Sequence, residues 1–226
     1  YSVVICTFQK RFERFFIPLI DNIKSQRDDV EIIVQVNGDY KQPFDDNYRS
    51  NLLKFLSKKS NTYPQFYTEF TSLSKMWNRG IQTSSNELCL VLNDDVSITD
   101  KFFDWIDEKV LNSKLDYFII NGIWSHFFIS KSRLKSFNWF DERFLGVGWE
   151  DWDISRHKLR PKSFECLEIK SFDGEEKTPA QKNIKGLGKY TKFNNDIYKQ
   201  KWFEKNIKES IQYPYFEFEQ KNKHNL

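Results

Sequence analysis

Apolar residues along the chain alternate between two spacings. Continuous apolar runs at residues 2–7, 31–36 and 88–95 read as strands buried on both faces. Helical spacing appears at 15–23, at 46–59 through Tyr48, Leu52, Leu53 and Leu56, and at 72–82 through Leu73, Met76, Trp77, Gly80 and Ile81. The first strand, helix and second strand make a βαβ unit, whose crossover is right-handed and whose ligand edge lies at the strands' C-terminal ends. Segment 8–14 reads as a charged, aromatic loop, and 61–66, which contains Pro64, reads as a loop or a short strand.

Beyond residue 95, the polar caps Ser97, Thr99 and Asp100 precede Phe102, Phe103, Trp105 and Ile106, marking a turn or helix. Strands are expected at 115–121 and 126–129 with Gly122 between them, then a short helix at 131–137. A further helix starts near Trp149 with Ile154 turned inward, and a last strand of the sheet is expected at 167–172. Residues 173–189 carry Gly174, Pro179, Gly186 and Gly188 and read as a long loop, 190–211 as partly helical, and 213–218 as extended and aromatic. The fold class is therefore α/β, a Rossmann-like, mainly parallel central sheet flanked by helices. Residues 1–172 form the main domain, and 173–226 form an extension packed on it.

Composition changes this picture little. With 226 residues and 39% hydrophobic content the chain can bury a large core, and 22 Phe, 10 Tyr and 7 Trp leave aromatics for a cleft. A formal charge of +3 is too small to point to nucleic acid as a partner. Cys6, Cys89 and Cys166 lie beside apolar runs without metal-ligand spacing, which fits reduced thiols in a cytoplasmic setting. No apolar span of roughly 18 residues or more is present, so membrane contact would be peripheral, at the inner face.

The chemistry lies in two acidic centres. At Asn93-Asp94-Asp95 a buried strand delivers carboxylates to the ligand edge, where hard ions such as Mg²⁺ or Mn²⁺ take oxygen ligands. At Gly148-Trp149-Glu150-Asp151-Trp152-Asp153, a glycine-rich run leads into carboxylates in the first turn of a helix, where a base for an incoming hydroxyl is plausible. No Gly-x-x-x-x-Gly-Lys-Ser/Thr loop, Gly-x-Gly-x-x-Gly fingerprint or Gly-x-Ser-x-Gly elbow occurs, which disfavours P-loop enzymes, dinucleotide oxidoreductases and serine esterases.

In order along the chain, the strand at 2–7, the strand and turn at 31–39, Leu73-Ser-Lys-Met-Trp-Asn-Arg-Gly80, Leu90-Val-Leu-Asn-Asp-Asp95, Phe140-Asp-Glu-Arg-Phe and Gly148–Asp153 together resemble the inverting glycosyltransferases of the GT-A fold, especially the broad family 2 group. The run into Glu-Asp-x-Asp is also similar to a segment of β-galactosyltransferases. The resemblance implies a nucleoside diphosphate sugar donor, Mn²⁺ or Mg²⁺, and a glycan or lipid-linked glycan acceptor. It implies Asp95, helped by Asp94, as metal ligands, with Asp94 and Asn93 facing the donor. Thr7, Asn37, Asp39 and Arg79 fall at donor positions. Asp151 matches the base, with Glu150 sharing the role or binding acceptor hydroxyls, and Trp149, Trp152 and Asp153 fall on the acceptor side. Trp149 is expected to face the cleft more than Trp152. The chain departs from the pattern at Val36-Asn37-Gly38, where relatives carry Asp-Asn-Gly, and after residue 172, where relatives often carry a metal-binding His. A nucleotidyltransferase acting on a sugar phosphate and a noncatalytic glycan-binding module are the alternatives.

Overall fold

The computed structural model describes residues 1–38, 43–157, 160–172 and 190–203. Its core is a seven-stranded sheet in the order β3-β2-β1-β4-β7-β6-β8, made of β1 (Ser2–Phe8), β2 (Glu31–Asn37), β3 (Thr62–Phe66), β4 (Leu88–Asn93), β6 (Tyr117–Ile120), β7 (Ile123–Ser130) and β8 (Ser163–Phe164). The β3-β2-β1-β4 half is parallel throughout. β7 runs antiparallel to both β4 and β6, and β8 is parallel to β6.

Alternate residues of the central strands feed two apolar layers. Val3, Ile5, Val34 and Leu92 face α1 (Ile17–Gln26), α2 (Asp46–Leu56) and α4 (Phe102–Ser113). Val4, Cys6, Ile33 and Val91 face α3 (Leu73–Thr83), α5 (Lys131–Ser136) and α6 (Glu150–His157). Aromatic rings fill both layers, and in the second Trp77 packs on Phe127 and Phe140 at 5.3 and 4.9 Å between ring centres. Gly80 lets α3 lie close to β1: a Cβ there would stand 2.3 Å from Val4 Cγ1. All three cysteines are free and buried.

Several elements differ from expectation for identifiable reasons. The segment expected as a loop at 8–14 winds instead through a 3₁₀ turn (Gln9–Arg11) into a π turn (Phe12–Phe16), because Phe12, Phe15 and Phe16 are buried. Residues 62–66 do form a strand, since β3 is the sheet edge, where Pro64 is tolerated. Asn121 and Gly122, both at positive φ, make the turn between β6 and β7. The late strand expected in the main sheet is the short β9 (Ile169–Ser171), which instead pairs antiparallel with β5 (Val96–Ile98) in a sheet of two. The extension contributes α7 (Thr191–Phe203), and the segments expected at 173–189 and 213–218 lie outside the described residues. No described helix is long and apolar enough to cross a membrane.

Candidate active site

The register of β1 against β4 pairs Cys6 with Asn93, so Thr7 and Asp94 leave adjacent strands at the same edge. Asp94 and Asp95 are 1% and 3% exposed. Both are held by one group that the sequence did not single out: Arg11 Nη1 lies 2.8 Å from Asp94 Oδ1 and 2.9 Å from Asp95 Oδ2. The 3₁₀ turn after β1 places that guanidinium, and the Phe8 ring lies 4.9 Å beneath it. Burial pushes the Asp94 carboxyl above its ordinary value, with Arg11 pulling the other way. Thr7 Oγ1, Tyr48 OH and Asp94 Oδ2 are buried without hydrogen-bond partners, and the Thr7 hydroxyl stands close enough to bear on both of the others. Unsatisfied oxygens at a strand edge favour a ligand.

Among the described residues, no three His, Cys, Asp or Glu side chains are grouped to hold a metal. Two hard carboxylates nevertheless fit an ion that draws its remaining ligands from substrate phosphates and water. The main chain of Asp95 is also tied to the late strand, its carbonyl accepting from Phe172 N–H at 2.9 Å.

The second centre begins with three residues at positive φ, Gly146, Gly148 and Trp149, which turn the chain into α6. The Trp149 carbonyl accepts the first helical bond, from Asp153 N at 2.9 Å. Glu150 is buried, and its carboxyl is pushed up to about 8, by burial first and then by the neighbouring Asp151. Asp151 is half-buried and also raised by burial, and its Oδ1 accepts from Trp152 N at 2.9 Å. The two indoles lie 5.4 Å apart. Trp152 is the more open, 45% exposed with Arg156 stacked 3.9 Å over it, whereas Trp149 is half-buried against Tyr198. α7 covers one side of Trp149, through Tyr198, and leaves Trp152 the more exposed of the two indoles.

Asp153, expected on the acceptor side, packs against α7. It is fully buried, receiving Lys201 Nζ at 2.7 Å on one oxygen and Trp202 Nε1 at 2.7 Å on the other. Lys201 also reaches Asp141 at 2.6 Å, which Arg143 grips as well. Burial alone would raise the Asp141 carboxyl, but these two cations outweigh it and hold it well below the usual range. Asn194 completes the clamp. Its side chain accepts from Leu145 N and donates to the carbonyls of Leu145 and Gly148, at 2.8, 2.9 and 2.9 Å.

The glycine-rich loop is tied to the same sheet edge as the Asp94–Asp95 pair. Leu73 N, at the start of α3, donates to Gly146 O at 2.8 Å. Thr71, two residues earlier, binds the side chain of Asn37 at the end of β2 through both its N–H and its carbonyl. The Asn37 side chain thus braces the end of β2 against the segment leading into α3. Asn78 braces the other flank, exchanging hydrogen bonds with the Phe140 backbone and donating to Glu142 at 2.9 Å. Arg79 on α3 and Asn93 at the end of β4 are half-buried, and Asp39 lies outside the described residues. The residues sequence reasoning missed are Arg11, Asn194 and Lys201. Their only sequence signal was polarity beside buried aromatics.

No family model matches the chain, and no curated protein matches it in sequence. Solved structures do match its fold. Residues 1–349 of TarS from S. aureus superpose with a TM-score of 0.57 at 13% identity, over 73% of this chain and 57% of that one. The mannosyltransferase PcManGT from Pyrobaculum calidifontis, solved with GDP-Man and Mn²⁺, gives 0.55 at 11% identity, over 73% and 54%. HddC from Yersinia pseudotuberculosis gives 0.52 at 12% identity, over 84% and 99%. The chain thus has the mixed α/β fold shared by these proteins and spans little more than half of the TarS fragment and of PcManGT.

Proposed function

We propose that the chain is an inverting glycosyltransferase of the GT-A type, moving a sugar from a nucleoside diphosphate sugar to a glycan or lipid-linked hydroxyl in surface polysaccharide synthesis at the inner membrane face. The observation that carries this reading is the buried Asp94–Asp95 pair beside unsatisfied Thr7 and Tyr48 oxygens, at the edge to which the Glu150–Asp151 loop is tied. A fold shared with a mannosyltransferase that binds GDP-Man and Mn²⁺ supports it.

In this reading Asp95, with Asp94, would hold Mg²⁺ or Mn²⁺, which when bound would supply positive charge near a departing diphosphate. Asp151 takes the proton of the acceptor hydroxyl as its oxygen bonds to the anomeric carbon, and the bond from that carbon to the diphosphate breaks on the opposite side. Glu150, with its carboxyl near 8, keeps its proton at neutral pH and donates a hydrogen bond to the acceptor instead of competing for the proton. The exposed Trp152 face offers a stacking surface for a pyranose.

The test is incubation with a panel of nucleotide sugars, Mn²⁺ and glycan acceptors. Acceptor-dependent release of nucleoside diphosphate with an extended glycan is expected. Pyrophosphate released from a nucleoside triphosphate would assign nucleotidyl transfer instead, and glycan binding indifferent to nucleotide and metal would assign a binding module.

A further inference from the structure

Arg11 stands where one cation contacts both carboxylates of the candidate donor centre. Its Nη1 lies 2.8 Å from Asp94 and 2.9 Å from Asp95, and both acids are almost wholly buried. A divalent ion drawing on the same two oxygens would bring a second cation into that space, and like charges a few ångströms apart in a poorly solvated pocket repel strongly. The guanidinium has a way out, since 13% of its side chain is exposed where the acids' side chains show 1% and 4%. Its anchor is the short 3₁₀ turn at the end of β1, so a change in its side-chain torsions moves the charge without disturbing the sheet. Asp94 Oδ2 and Thr7 Oγ1 remain without hydrogen-bond partners beside it.

We propose that Arg11 is an exchangeable internal cation: it holds the Asp94–Asp95 pair before the donor arrives, a divalent ion displaces it, and the freed guanidinium then grips the donor's diphosphate. This rests on the donor-binding reading above and adds a residue and a regulatory order to it. Arg is suited to both seats, because its planar fork matches carboxylate and phosphate oxygens alike. The arrangement keeps two buried acids from standing unpaired in the empty site, where an uncompensated charge is costly. It also couples metal entry to diphosphate capture, since each step supplies what the other needs.

The coupling predicts effects of opposite sign in one variant. Arg11→Gln removes the resident charge while keeping a hydrogen-bond donor. Mn²⁺ alone, titrated by calorimetry or by the free-ion EPR signal, is expected to bind about ten-fold tighter to this variant than to the unaltered chain, because no cation has to leave. With Mn²⁺ saturating, a panel of UDP, GDP, CDP and dTDP should show the preferred diphosphate bound about ten-fold more weakly. Arg11→Lys keeps the charge and should leave Mn²⁺ affinity near that of the unaltered chain, which guards against a folding defect in the neutral variant. Mn²⁺ affinity that is unchanged or weaker in Arg11→Gln, or equally tightened in Arg11→Lys, overturns the exchange while leaving the donor reading standing. An unaltered chain that binds neither Mn²⁺ nor any of the four diphosphates overturns both.

Discussion

Glu150 and Asp151 are adjacent in sequence but sit in different electrical surroundings, and that difference divides their roles. Glu150 is buried and its carboxyl is lifted to about 8, whereas Asp151 is half-buried in the first turn of α6. Replacing Asp151 by Asn should lower turnover by about 10²-fold or more with little change in donor KM, because the loss falls on proton transfer. Glu150→Gln keeps the hydrogen-bond donor and should retain far more activity, and steady-state kinetics on the two variants separates them. Glu150 also makes a stability prediction. Between its ordinary value of 4.5 and about 8, the folded chain holds a proton that the unfolded chain has lost. Stability from this group is complete below 4.5 and drains away as pH rises towards 8, by up to about 1.4 kcal/mol per pH unit. Thermal melts from pH 4 to pH 9 should show a flatter alkaline limb for Glu150→Gln, and superimposable profiles would count against this assignment. The positions of both acidic centres were legible in sequence, because an unbroken apolar run and a pair of glycines each point to a backbone that delivers its next residues to an edge. Arg11 was not legible: nothing in a charged aromatic stretch tells which of its arginines folds back onto a strand end.

At the scale of elements, α7 is what makes the glycine-rich loop a defined shape. Lys201 bridges Asp141 and Asp153, and Asn194 holds the backbone on both sides of Gly146. Lys201→Met preserves bulk and removes the charge that contacts Asp153 and Asp141, while the Trp202 indole still donates to Asp153. Breaking a buried pair this way costs roughly 3–5 kcal/mol, which urea denaturation will register as a lower midpoint at an unchanged slope. A loss below about 1 kcal/mol would show the network to be dispensable. Local pattern could not reveal this support, since partial helix character says nothing about which face meets which loop. For the same reason Asp153 looked like an acceptor contact: three acids in one helical turn are alike in sequence, and only the packing of α7 sets one of them apart. Pro64 likewise obscured β3, because whether a proline is tolerated depends on a strand lying at an edge.

For the whole molecule, the parallel half of the sheet followed from the buried runs and the βαβ spacing, while the antiparallel half depended on a turn at Asn121 and Gly122 and on the two-residue β8. Strands of two or three residues leave almost no periodic trace, so β8 was missed and β9 was placed in the wrong sheet. The two acidic centres come from β4 and α6, and the bonds from Asn37 to Thr71 and from Leu73 to Gly146 link the glycine-rich loop to the sheet's C-terminal edge. A ligand that engages this edge stabilises the entire fold. Nucleoside diphosphate with Mn²⁺ at about 100 times its dissociation constant should add about 2.7 kcal/mol, visible as a rise in melting temperature that either component alone reproduces only in part. No rise with any diphosphate tested would argue that the edge is not a donor site.

The clamp from α7 also has a consequence in time. A ribosome releases the chain from its amino end, so the sheet strands emerge well before residues 194 and 201. Until those arrive, the glycine-rich loop lacks its bonds to Asn194 and Asp153 lacks its contact with Lys201. A nascent chain therefore acquires its fold before its chemistry, and the potential base is set in place only when the last described helix docks.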